Sequence, residues 1–139
     1  MTPRVLVVPT LLLLLSCRQP TDCCGPESWY NQPPVTWIAA GPPEGATVTS
    51  PVHFYWGGWD EDGAVVGYEY LMLQDSTGSF APRDTVGLLW SHVMANDSTF
   101  AIPPDSAASR TFTFLVHAVD DQGLRSREAP HRTFHVVER

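Results

Sequence analysis

Four stretches of this chain alternate large apolar and other residues with a period of two, and few folds accept that pattern. Val52, Phe54 and Trp56 alternate with His53 and Tyr55. Tyr68, Tyr70 and Met72 alternate with Glu69 and Leu71. Phe112, Phe114, Val116 and Ala118 alternate with Thr113, Leu115 and His117, and Phe134 and Val136 with Thr133 and His135. Successive side chains of a strand point to opposite faces, so each run reads as a strand with one face buried. Phe100 and Ile102 make a shorter run. Turn-forming clusters separate the runs: Gly41 to Gly45, Gly57 to Gly63, Pro103-Pro104, and Asp120 to Gly123. With 13 prolines and 10 glycines in 139 residues, long helices have little room. The expected strands lie near 35–40, 51–57, 65–73, 88–94, 98–102, 110–119 and 131–137. Short strands at this spacing indicate a single all-β, two-sheet sandwich. Residues 88–94 also suit a short helix capped by Asp84, but Gly87 weakens it and strand is preferred.

These residues carry a resemblance. Trp56 on the second strand precedes an Asp-x-Asp-Gly loop, Asp60 to Gly63. Next come Val66-Gly67-Tyr68-Glu69-Tyr70, then Phe112-x-Phe114-x-Val116-x-Ala118-Val119-Asp120, and a last strand with Phe134-x-Val136. From residue 34 to 139 this resembles the fibronectin type III or immunoglobulin-like modules of bacterial envelope lipoproteins. The resemblance implies one sheet from strands 35–40, 51–57 and 98–102, and a second from 88–94, 65–73, 110–119 and 131–137. The core is then Val52, Phe54, Trp56, Tyr68, Tyr70, Phe100, Ile102, Phe112, Phe114, Val116, Phe134 and Val136. Two departures stand out. Phe112 occupies the place where such modules usually carry a corner tyrosine, and the connection 74–96 is long. The pattern is strong for fold and weak for function.

The N-terminus carries an address. Arg4 precedes an apolar run, Val5 to Leu15, too short to span a bilayer. It ends Leu14-Leu15-Ser16-Cys17, which resembles the bacterial lipoprotein box. That resemblance implies residues 1–16 as signal peptide, cleavage after Ser16 and lipidation of Cys17. Residues 17–33 read as a flexible tether, rich in turn formers. Its Cys23-Cys24 pair lacks the two-residue spacer of a metal or redox motif. The implied location is the bacterial cell envelope. Arg18, where an aspartate would mark inner-membrane retention, points to the outer membrane if the host has one.

Charge and motifs remove several functions. The formal charge is −7, all eight bases are arginine, and no basic stripe exists to neutralise phosphate, so nucleic acid is not an expected partner. No nucleophile elbow or glycine-rich phosphate loop occurs. Ser91 and His92 are neighbours and point to opposite faces of a strand. His117 and His131 are too few for zinc. An enzyme is not expected.

Three surfaces remain as candidates. Asp60 and Asp62 in one loop, with Asp120 and Asp121 in another, fall at the same end of such a sandwich and suit calcium, the only cofactor considered. The preferred reading of both pairs is simple turn formation before Gly63 and Gly123. On the outward parity of the second sheet, Leu71, Leu73, Leu115 and Val137, with His135 beside them, form a candidate protein-contact face unless 74–96 folds over it. Tyr55, Trp59 and Trp90 are the rings a carbohydrate-binding module would expose. The leading expectation is a non-catalytic, lipid-anchored protein whose sandwich makes protein contacts or acts as a spacer. The alternative is a glycan-binding module at the cell surface, with calcium as its candidate stabiliser.

Overall fold

In the computed structural model, residues 30–75, 85–104 and 109–137 are described. Residues 1–16, expected to be a signal peptide, and Cys17, Cys23 and Cys24 lie outside them. The alternating runs become strands: β1 (Val35–Ala40), β2 (Ala46–Val48), β3 (Val52–Trp59), β4 (Val65–Asp75), β5 (Ser91–Val93), β6 (Asp97–Phe100), β7 (Ser109–Asp120) and β8 (His131–Val137). They form a three-stranded sheet, β1-β3-β6, and a five-stranded sheet, β2-β8-β7-β4-β5. This is an immunoglobulin-like, fibronectin type III-like sandwich, with the expected division of strands. The sequence reading lacked β2. Its three residues run parallel to β8, pairing Ala46 with Phe134 and Val48 with Val136, and they are too few to show a period.

The inward parity fills the space between the sheets. Phe54 of β3 stacks on Phe114 of β7, with centroids 4.2 Å apart. Trp56, Tyr70 and Phe100 surround Phe114 at 5.5, 6.1 and 5.6 Å. All twelve expected core residues are buried or packed against the buried cluster. Gly41, just after β1, has φ of 146°, and a Cβ there would lie 2.4 Å from the Phe54 ring. Glycine thus lets the chain leave β1 directly over the core. The corner without a tyrosine is closed by Arg110. Its guanidinium donates to the Pro103 carbonyl and lies 5.5 Å from the Phe112 ring, which packs on Phe134.

The outer face of the five-stranded sheet is not an open apolar patch. Leu71 and Leu115 pair across β4 and β7 but are only 7% and 2% exposed, and Thr113 between the strands is fully buried. Of the long connection after β4, Thr85 lies by the cavity at Leu115 and Trp90 packs on His117, 4.9 Å between centroids. Leu73 faces Thr113, whose hydroxyl meets that of Thr133 at 3.1 Å. His135 is bonded to Thr111, and Val137 pairs with Ser109 at the far end. Leu71, Leu73 and Leu115 therefore group together, while threonines separate them from His135 and Val137. This corrects the expected five-residue contact face: parity was right, but threonines interrupt the row, Leu71 and Leu115 are buried and Leu73 is half-buried.

Candidate functional site

The end of the sandwich between β3–β4 and β7–β8 gathers the four aspartates, and both oxygens of Asp120 and one of Asp62 already accept hydrogen bonds. Asp120 is 1% exposed. Its Oδ1 accepts the backbone N–H groups of Gln122 and Leu124 at 2.9 and 2.8 Å, and its Oδ2 accepts Asn31 Nδ2 at 2.6 Å. Asp62 Oδ2 accepts the N–H of Gln32 at 3.0 Å, and Gln122 Nε2 donates to Asn31 Oδ1 at 3.0 Å. The carboxylates thus grip Asn31 and Gln32, which the sequence had assigned to the free tether. Among the described residues no group of three or more His, Cys, Asp or Glu side chains could hold a metal ion. Asp60, Asp62, Asp120 and Asp121, the residues expected to bind calcium, thus share one end of the sandwich, where Asp120 already accepts hydrogen bonds through both oxygens. Adding millimolar calcium is expected to leave the melting midpoint where a chelator leaves it; a rise would support the cation reading.

Two of these carboxyls are pushed in opposite directions. Burial raises Asp60, with Asp62 and Asp120 adding repulsion, and its Oδ2 has no hydrogen-bond partner. Burial also pushes Asp120 up, but the hydrogen bonds from Asn31 and from the backbone of Leu124, Gln122 and Gly123 outweigh it and hold the group low. The linkage signs follow. A lowered folded pKa stabilises above the ordinary carboxylate range, and that contribution is lost as pH falls through the folded value. A raised one penalises folding at neutral pH, and the penalty fades in acid. Asp120→Asn is therefore expected to lower the melting midpoint at pH 7, since its amide would set a donor against Asn31. Asp60→Asn is expected to raise it. Both differences should shrink toward pH 3; equal signs at neutral pH would refute the assignment.

The opposite broad face, on β1-β3-β6, has a different character. On β3 the outward parity runs His53, Tyr55, Gly57, Trp59, and on β1 it runs Val35, Trp37. Register sets Val35 against Trp59 and Trp37 against Gly57. A Cβ on Gly57 would meet Trp37 indole atoms at 2.6–2.9 Å, so the indole lies flat over the glycine, an arrangement that also fills the gap a glycine leaves in a sheet. Trp37, Tyr55 and Trp59 remain 45%, 48% and 57% exposed. Tyr55 leans on the His53 ring at 4.4 Å. His53 is fixed in turn from β6: Nδ1 lies 2.6 Å from Thr99 Oγ1, and Nε2 lies 3.1 Å from Asp97 Oδ2.

Beside Trp59 opens a cavity of about 350 Å³, lined among others by Gln32, Thr36, Glu61, Arg127 and Glu128. Its walls are fixed from several elements. Thr36 Oγ1 accepts the Ala118 N–H across the two sheets at 2.6 Å. Ser126 is buried, and its hydroxyl donates to the Glu128 carbonyl at 2.9 Å.

Sequence reasoning named Tyr55 and Trp59 for this face and missed Trp37, whose only signal was Gly57 opposite it. Trp90, named with them, belongs elsewhere. One side packs on His117 while the Arg125 guanidinium lies 6.0 Å from its ring, and Arg125 is ion-paired with Glu69. There, burial chiefly and the Arg125 charge next push the His117 imidazole below its ordinary value.

No family model and no curated protein sequence matches the chain. Among solved structures it is similar to the twitchin kinase region from C. elegans (Fn31-NL-kin-CRD-Ig26), at 18% identity and a TM-score of 0.38. The match covers 72% of this chain and 16% of that one.

Proposed function

We propose that this protein is a non-catalytic, lipid-anchored binding module of the bacterial cell envelope, held through Cys17 in the outer membrane where the host has one. Its binding surface is the outer face of the β1-β3-β6 sheet. The observation that carries the reading is the row Trp37, Tyr55 and Trp59. A sheet face turned to water should be mainly polar, and three large rings left about half exposed on adjacent strands hold apolar area that a ligand can remove from water. The spacer reading needs no such face. The contact face first sought on Leu71 and Leu115 is replaced by this one, because those leucines are buried.

A photoreactive side chain in place of Tyr55, in cells making the full chain, tests the proposal. Covalent adducts to an envelope component are expected at this position and not at the exposed Leu124. Adducts at neither position, or equally at both, would leave the face without a role.

A further inference from the structure

We infer that the aromatic face is a docking strip for an uncharged glycan chain, with the cavity beside Trp59 as the subsite that fixes one sugar ring. The inference rests on the binding surface proposed above and names its ligand class.

The first argument is shape. Outward residues on one strand recur about every 7 Å, so Tyr55, Gly57 and Trp59 mark three steps, and the Trp37 indole covers the middle one. The result is three half-exposed rings on one face of two paired strands. A pyranose presents an apolar C–H face that lies on an aromatic ring, and a chain of them presents several such faces. The second argument is the rim. Gln32, Glu61, Arg127 and Glu128, residues with amide, carboxylate and guanidinium side chains, line the cavity beside Trp59. That is a mixed set of donors and acceptors, as sugar hydroxyls require, rather than one charge sign. An apolar wall with a few placed polar groups is the usual make-up of a small-ligand site.

The third argument is charge. Stacking platforms for single-stranded nucleic acid sit in positively charged grooves, and surface helices or patches for anionic lipid are rich in Lys and Arg. This chain carries −7 and no lysine, and Glu61 and Glu128 stand at the cavity. Polyanions are repelled; a neutral glycan is not.

The test uses the full-length chain in detergent and calorimetric titration with neutral hexasaccharides: β-1,4-glucan, α-1,4-glucan, β-1,4-mannan and β-1,4-linked N-acetylglucosamine. Saturable binding to at least one is expected, with quenching of tryptophan fluorescence. Trp37→Ala and Trp59→Ala should each weaken it at least tenfold. Gly57→Val should do so as well, by lifting the Trp37 indole off the sheet with both rings still present. Leu89→Ala, at an exposed site away from this face, should bind like the parent. Far-UV dichroism checks that each variant is folded. No saturation at millimolar concentration with any hexamer, or binding that survives loss of both tryptophans, overturns the inference. So does tighter binding to vesicles of phosphatidylglycerol than to any sugar. If the sugars fail while the Tyr55 crosslink still captures an envelope protein, the glycan assignment falls and the binding face stands. If both fail, both fall.

Discussion

Replacing Phe114 by alanine is expected to remove about 3–5 kcal/mol of unfolding free energy, the cost typical of a large aromatic lost from a packed core. Phe114 has no exposed surface and stands where the two sheets meet. Phe54 stacks on it from the facing sheet, with Phe100 from the same side and Tyr70 from the neighbouring strand. Neighbours drawn from β3, β4 and β6 cannot all close on the same void, so a cavity remains. Domains of this kind have only about 5–15 kcal/mol in total, so the variant should unfold at markedly lower urea. Phe114→Leu should cost less than half as much. A loss below about 1 kcal/mol for alanine would mean that Phe114 is not the junction of the two sheets.

The second large effect concerns attachment. Cys17→Ser is expected to shift the protein almost wholly from the membrane fraction to soluble or unprocessed forms, judged by fractionation and by the mass of the N-terminal peptide. Each acyl CH₂ contributes about 0.8 kcal/mol in the bilayer, so a chain holding two or three acyl groups is firmly anchored and one holding none is not. The segment Val5 to Leu15 is too short to substitute for it. A processed variant that still needs detergent for extraction would show that another element holds the membrane.

Most of the sandwich was legible because burial writes a period of two into a strand. β8 was placed to the residue and β7 to within one at each end. β2 was not legible, because three residues carry no period and its pairing with β8 is parallel and non-local. The acidic loops show a different gap. Asp60, Asp62 and Asp120 were rightly gathered at one end, but no local pattern signals that Asn31 would bond Asp120, nearly ninety positions away, or that Gln32 would bond Asp62, thirty away. Trp37 escaped for a related reason. β1 alternates weakly, and only the register with β3 sets its indole on Gly57. Burial pattern is a local property of a strand; which polar atoms meet, and which ring covers which glycine, depends on pairing between strands.

The strand lengths have a consequence for how such chains behave when crowded. A sheet ends in a strand with unpaired N–H and C=O groups, and a long flat one is a template for polymerisation. Here β2 and β5, which end the five-stranded sheet, have three residues each, and β6 has four. β1, the remaining edge, has six residues and shifts register between Ile38 and Ala40, and such an irregularity bends a strand and breaks its pairing surface. Among the described residues, these four terminal strands offer neighbouring copies packed side by side only short or irregular stretches to zip onto.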